Sequence, residues 1–465
     1  MQKKNNRPAR LIAKLAVLGI LVFVFYVAWN VLPMASGYGT KNLCSCVFVA
    51  NRNDSDVLHN ELNFLPVNWG RYKIDYAGKT VSGSVLGLAK QKAIFREGFG
   101  CTLINGLSEN EIRRQPNDFP TASFSDSINS AEWPVGEVSG PHLFEDIDSA
   151  ALEVAVNRAF QEMDPEKLMR TRAVIIVHKG KIVAEQYAPG FTMNSRLMGW
   201  SMAKSVTSAL IGIAVKKNLL DIDKPAPLNE LRNATDDRRL ISTKHLLQQT
   251  SGIDFTEVYS RPSEVTRMLF KTGNMAAYTA SLRSEVAPGV KQYYSSGNSN
   301  ILMSVLRNVV PATSYHAFPY NELFHRIGMR SAIIETDAAG NFVGSSYMYA
   351  TARDWARFGL LYLHNGRWNG EQLLPLDWVS SSVQPAMKDS PIQYGYQWWL
   401  NTPNIKGIRK YPKLPEDLYY ADGYESQFVF VIPTKDLVIV RLGLTKGNYF
   451  DEEAFVASII NAIKK

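Results

Sequence analysis

The segment Arg172–Tyr187, RAVIIVHKGKIVAEQY, reads as two short strands joined by a tight turn at Lys179-Gly180. Its apolar run is rich in β-branched residues, and the turn pair sits between two such runs. A second segment of the same kind lies near the C-terminus, where Gln427–Ile432 and Leu437–Leu442 flank Pro433-Thr434-Lys435-Asp436. Between the two hairpins the chain is mostly helical and loop-like. Ile147–Met163 alternates at helical spacing, Ser205–Val215 is an apolar helical stretch, and Asp451–Lys465 closes as an amphipathic helix. Hairpins at both ends of one region, with helices between them, predict an α+β domain. One antiparallel sheet is assembled from both ends, helices flank it, and a helical subdomain is inserted between.

That domain spans residues 143–465. Residues 36–118 read as a small separate N-terminal module, and residues 119–142 as a linker carrying Pro120, Pro134, Gly136 and several serines. The length of 465 residues, with 46% hydrophobic and 20% charged residues, is ordinary globular usage and excludes a disordered, collagen-like or polytopic membrane chain. The formal net charge is +8, but Lys3, Lys4, Arg7, Arg10 and Lys14 supply five of those charges. The remainder is nearly balanced, so the charge gives no support to a nucleic-acid partner.

Behind this basic flank, Leu15–Trp29 is an uninterrupted apolar run, LAVLGILVFVFYVAW, and with Asn30, Val31 and Leu32 it reaches 18 residues. That is the short end of a membrane span. The basic flank should stay cytoplasmic and the remainder should cross. Residues 1–35 are therefore a membrane anchor or a signal peptide, the second served by the small residues of Met34-Ala35-Ser36-Gly37. Either places the protein in the cell envelope. It is anchored in the inner membrane facing the periplasm or exterior, or secreted if the signal is cleaved. In that compartment a disulfide can persist. Of the three cysteines, Cys44 and Cys46 are too close in sequence to pair well with each other. Cys101 is expected to pair with Cys44 or Cys46. The chain has no Cys-x-x-Cys or His-Glu-x-x-His, and its seven histidines are scattered, so neither a metal site nor another cofactor is expected.

Chemistry concentrates at Ser201-Met202-Ala203-Lys204, the one Ser-x-x-Lys in the chain, set where a loop gives way to the apolar helix. Residues three apart share a helix face, so the two side chains can meet. A serine hydroxyl needs a base to become a nucleophile. A lysine serves only when neutral, a form favoured by desolvation and by the positive end of the helix dipole. The same helix start presents N–H groups that could hold an oxyanion.

An ordered set of segments surrounds this motif: TRAVIIVHKGKIVAEQYAPG, GWSMAKSVTSALIGIAV, KHLLQQTSGIDFTEVY, YYSSGNSNIL, SSYMYATARDWARFGLLYL, NGRWNGEQLLPLDW, YGYQWWL and YADGYESQFVFVIPTKDLVIVRLG. Together they resemble the serine beta-lactamase-related hydrolases, over roughly residues 145–465, with the strongest likeness to the 6-aminohexanoate-dimer hydrolase branch. The resemblance implies a beta-lactamase/transpeptidase-like fold, with Ser201 as acyl-forming nucleophile and Lys204 as its base. Tyr294, in Tyr294-Ser295-Ser296, matches the proton-shuttling tyrosine, with Tyr293 as the adjacent competitor. Tyr259 resembles an extra pocket tyrosine, and Ser296, Gly423, Tyr424 and Gln427 fall where substrate would lie. Trp398 and Trp399 line the cleft or pack, and Gly344-Ser345-Ser346 is a loop behind the site or a plain turn.

Two departures from the family pattern matter. Beta-lactamases carry Lys-Thr-Gly or His-x-Gly before the last strands, whereas this chain has Ala421-Asp422-Gly423, and their Tyr-x-Asn is here Tyr-x-Ser. The expected activity is thus hydrolysis of a small ester or amide through an acyl-enzyme. The alternatives are a beta-lactamase or D-alanyl-D-alanine carboxypeptidase, and a non-catalytic cell-envelope binding protein of the same fold. No obligate protein partner is indicated, and the membrane is met through the N-terminal helix. The chain has no Gly-x-Ser-x-Gly elbow, Walker loop or dinucleotide fingerprint.

Overall fold

The computed structural model describes residues 7–120, 130–140 and 144–463. Lys3 and Lys4 of the basic flank, residues 121–129 and 141–143 of the expected linker and domain start, and Lys464-Lys465 lie outside them.

The two hairpins are present and share one six-stranded antiparallel sheet. Its strand order is Trp399–Leu400, Tyr419–Gly423, Gln427–Ile432, Leu437–Gly443, Thr171–His178, Lys181–Tyr187. The last strand of the C-terminal half therefore pairs with the first strand of the first hairpin, with Ile176 opposite Ile439 and Val174 opposite Arg441. The central strands are apolar at nearly every position because both faces are covered. Ile175, Val177, Val429, Val431, Val438 and Val440 point to one core, and Val174, Ile176, Phe428, Phe430, Leu437 and Ile439 to the other. The first core is filled by helices Ala203–Lys216 and Ala352–Leu363, the second by helices Ser149–Arg158 and Glu452–Asn461. The fold is the α+β, beta-lactamase/transpeptidase-like arrangement, with the helical insert between the two halves of the sheet.

Helix Arg7–Tyr26 continues through a π turn, Val27–Val31, into helix Leu32–Phe48. Exposure changes sharply along it. Leu15, Leu18, Leu21 and Phe25 are 57–67% exposed, whereas Ser36, Thr40, Leu43 and Cys44 are fully buried. The buried half lies against a four-stranded antiparallel meander of Gly70–Asp75, Thr80–Val85, Leu88–Arg96 and Gly100–Leu103. Cys44 and Cys101 form a disulfide with Cα atoms 6.0 Å apart, and Cys46 is a buried free thiol.

The expectation of a separate module needs correction. The core of residues 32–103 is continuous with Trp200, Phe255, Val265, Phe270, Val343 and Tyr347 of the larger domain. Lys41, on the long helix, is bonded to the buried carboxylate of Glu335, which also accepts from Ser45 Oγ and from the Cys101 N–H at 2.6 Å. The expected linker is likewise partly built in. Trp133 is 2% exposed, and Arg357 donates to the carbonyls of Pro134 and Gly136 and to the Glu137 carboxylate.

Candidate active site

The 3-10 turn Trp200–Met202 leads into the helix Ala203–Lys216. Trp200 sits at φ +47°, a left-handed backbone that is rare for a bulky residue and is held only when its surroundings fix it. Its ring is buried, and its indole N–H donates to Glu425 Oε2 at 3.3 Å. The strand Tyr419–Gly423 closes against this turn. A Cβ on Gly423 would lie 2.2 Å from the Gly199 carbonyl oxygen, so glycine is what permits the approach. Ser201 is thereby set between a helix start and a strand end, with Lys204 one turn on.

Lys204 is 1% exposed, and its Nζ lies 2.8 Å from Ser201 Oγ, 3.1 Å from Ser296 Oγ and 3.0 Å from the Ser345 carbonyl oxygen. The proton inventory follows from these partners. A carbonyl only accepts. Ser296 commits its own hydroxyl proton to Glu257 Oε1 at 2.5 Å, so its oxygen can only accept from Lys204. A neutral amine has two N–H donors, which these two acceptors take, and its one lone pair is left facing the Ser201 hydroxyl. Burial lowers Lys204 to about 8, with Glu257 and Asp422 opposing the shift. A useful neutral fraction therefore exists near neutrality, and the geometry turns it toward the serine.

Tyr294 completes the set. Its ring centroid is 4.8 Å from Lys204 Nζ. The ring stacks on Trp399 at 5.1 Å and meets the edge of Tyr394 at 5.6 Å. Burial, with Tyr394 and Glu257 adding to it, holds its pKa well above the ordinary tyrosine value, against a smaller lowering effect of Ser201. Tyr294 therefore keeps its proton at physiological pH. Its neighbour Tyr293 is 41% exposed, with Lys291 over its ring at 5.8 Å, away from this cluster.

Ser296 begins the helix Ser296–Val309, where Ser295 caps the N-terminus by accepting from the Asn298 N–H. Glu257 accepts from the Ser296 N–H at 2.8 Å as well as from its hydroxyl, so a carboxylate sits on the positive end of that helix. Tyr259 enters through the same acid, donating to Glu257 Oε1 at 2.9 Å, and its ring stacks on Tyr424 at 5.6 Å. Glu257 is a residue of this cluster that sequence reasoning missed. The available signal was an acid two positions before the pocket tyrosine in DFTEVY.

The remaining expectations divide. Tyr424 caps the hairpin after Gly423, between Tyr259 and the edge of Trp200. Gln427 does not present itself to the cleft and is corrected. It is 1% exposed, donates to the carbonyls of Tyr424, Glu425 and Gly443, and accepts from the Gly443 N–H. Its amide is used up in holding the Tyr424-Glu425-Ser426 turn, where Glu425 and Ser426 take φ of +64° and +63°. Trp399 backs Tyr294, whereas Trp398 packs against Tyr362 in the core at 4.5 Å. The loop Gly344-Ser345-Ser346 lies behind the site, through the Ser345 carbonyl. Asp422 lies beside the glycine, with Lys410 3.8 Å away. Burial pushes its carboxyl up to about 6, Lys410 and Lys204 opposing and Glu452 adding to the rise.

Comparison with known proteins bears on the family and the fold. A 6-aminohexanoate-dimer hydrolase of Paenarthrobacter ureafaciens is 24% identical over 299 residues, covering 58% of this chain and 72% of the relative. A family VIII carboxylesterase superposes with a TM-score of 0.54 at 13% identity, covering 70% of this chain and 98% of that one. A penicillin-binding protein homologue from Caulobacter crescentus superposes with a TM-score of 0.52 at 15% identity, with the same coverage of 70% and 98%. These homologues include hydrolases of the beta-lactamase fold. The Beta-lactamase family model matches residues 156–459, well over half of the sequence, and the chain belongs to that family.

Proposed function

We propose that the protein is a serine hydrolase that cleaves an ester or amide through an acyl-enzyme on Ser201. The observation that carries the reading is the set of partners around Lys204. Two obligate acceptors leave its lone pair on the Ser201 hydroxyl. Ser201 Oγ attacks the substrate carbonyl as its proton passes to Lys204 Nζ. The carbonyl π electrons move to oxygen, to be held by backbone N–H groups at the helix start. On collapse, the bond to the leaving group breaks and Tyr294 protonates the departing oxygen or nitrogen. Lys204 then returns a proton to Tyr294 and, neutral again, takes one from the water that attacks the acyl group; the bond between the acyl carbon and Ser201 Oγ breaks, and Lys204 gives that proton back to Ser201. The name of the 6-aminohexanoate-dimer hydrolase relative supports hydrolysis of a small molecule.

The N-terminal helix is proposed to anchor this enzyme in a membrane of the cell envelope, with the domain on the periplasmic or outer side. The helix Leu11–Phe48 is long and apolar enough to cross. Cleavage at Ala35-Ser36 would cut a buried helix, and Ser36 Oγ accepts from the Val85 N–H at 3.0 Å. This favours an uncleaved anchor. Turnover of a panel of nitrophenyl esters and linear amides by wild type, Ser201→Ala and Lys204→Arg tests the reading. Arginine cannot give up its proton, so both variants should fall by roughly 10²–10⁴-fold. Retention of wild-type turnover by either removes its role.

A further inference from the structure

A cavity of about 730 Å³ lies between the N-terminal helix and the candidate active site. Val31, Met34 and Ala35 of the helix line one side, and Trp200, Tyr259 and Tyr424 the other. The volume is that of an ordinary ligand pocket. Arg261 is the one charged residue lining it among the described residues, so its walls suit an aliphatic group. Its position relative to the helix is informative. Exposed apolar side chains run from Leu11 to Trp29, and the cavity begins two residues later. At that level Trp29 is 66% exposed, and Lys271 donates to the Trp29 carbonyl at 3.1 Å. An exposed tryptophan with a lysine beside it is the composition of a membrane surface. On the inner side, Trp200 precedes the nucleophile and Tyr424 follows Gly423. Tyr294, the proton donor to the leaving group, is walled by Trp399 and Tyr394, and none of these three lines the cavity. The walls around Tyr294 and the walls of the cavity are thus made by different residues.

We propose that this cavity takes the long aliphatic chain of the substrate's acyl group. The enzyme then acts on an ester or amide of a long-chain fatty acid drawn from the lipid layer that holds its own anchor. This rests on Ser201 being the nucleophile and deepens that reading by naming the acyl group.

The test uses the full chain in phosphatidylcholine nanodiscs and two fluorophosphonate probes, one ethyl and one dodecyl. In each, Ser201 Oγ displaces fluoride from phosphorus, the proton passes to Lys204, and the alkyl group stands where the acyl chain would. Partition into the lipid raises the local dodecyl concentration equally for wild type and variants, so the comparison between them reports the cavity. Val31→Trp, at a half-buried position, and Ala35→Phe fill the cavity from the helix side without touching the catalytic groups. Each buried methylene is worth roughly fourfold in affinity. The wild-type dodecyl-to-ethyl labelling ratio should therefore exceed that of either variant by at least about tenfold, with ethyl labelling unchanged. Ratios that agree within about twofold across the three proteins overturn the inference. Absence of labelling by both probes is a different result: it removes the nucleophile on which the inference stands.

Discussion

Glu257 accepts hydrogen bonds from both the main-chain N–H and the hydroxyl of Ser296, at 2.8 and 2.5 Å, and Ser296 Oγ in turn receives Lys204 Nζ. The acid fixes which way the Ser296 proton points, and so which side of the amine is left for Ser201. Its charge also favours the ammonium form of Lys204.

A pH dependence follows. The active form of Lys204 is the neutral one, so kcat/KM for an ester should rise as pH increases through about 8. Glu257→Gln removes a charge that raises the Lys204 pKa, and the rising limb should move to lower pH. Parallel pH–rate profiles of the two proteins check this. A limb displaced upward in the variant contradicts the electrostatic assignment.

The ion pair of Lys41 with Glu335 is buried, with side chains 3% and 0% exposed. Removing one partner strands the other's charge, so Glu335→Gln should cost roughly 3–5 kcal/mol of unfolding free energy. Lys41→Met combined with Glu335→Leu should cost less, since no orphaned charge remains. Denaturant titrations of the three proteins in one detergent give the comparison. A loss below about 1 kcal/mol for Glu335→Gln would mean that the pair is not needed.

The disulfide closes a loop with a sequence separation of 57 residues. In the chain-entropy account this is worth roughly 4 kcal/mol. Cys101→Ser should lower the melting temperature while turnover per folded molecule stays near wild type. Thiol counting on denatured, unreduced protein should find one free group, Cys46. Three thiols would show that the bond does not form.

Asp422 stands in the segment where beta-lactamases place a cation before the strand. Above pH about 6 it is an anion beside the cleft, unsuited to the carboxylate of a beta-lactam. A short-chain nitrophenyl ester should be turned over faster than a chromogenic cephalosporin, and Asp422→Asn should narrow the gap. A cephalosporin hydrolysed faster by wild type would reverse the substrate assignment.

The sheet was legible because both hairpins carry their own turn signals, and because strands covered on two faces must be apolar throughout. The Ser201–Lys204 pairing was legible because three residues on a helix return to the same face. Glu257 was not, since its role depends on a contact with Ser296, 39 positions away, which no local pattern encodes. Gln427 misled for the converse reason. A polar residue at a strand start looks available in sequence, yet its amide is consumed by backbone groups from three residues. The N-terminal region was misread as separate because its link to the larger domain runs through Lys41 and Glu335, 294 positions apart.

The central claim is that Ser201 forms the covalent intermediate. Acid quenching during ester turnover, followed by peptide mass spectrometry, tests it most directly. The account predicts an acyl adduct on the peptide carrying Ser201 in wild type, and none on Ser201→Ala. An adduct of equal yield in both proteins, or one on another residue, contradicts it.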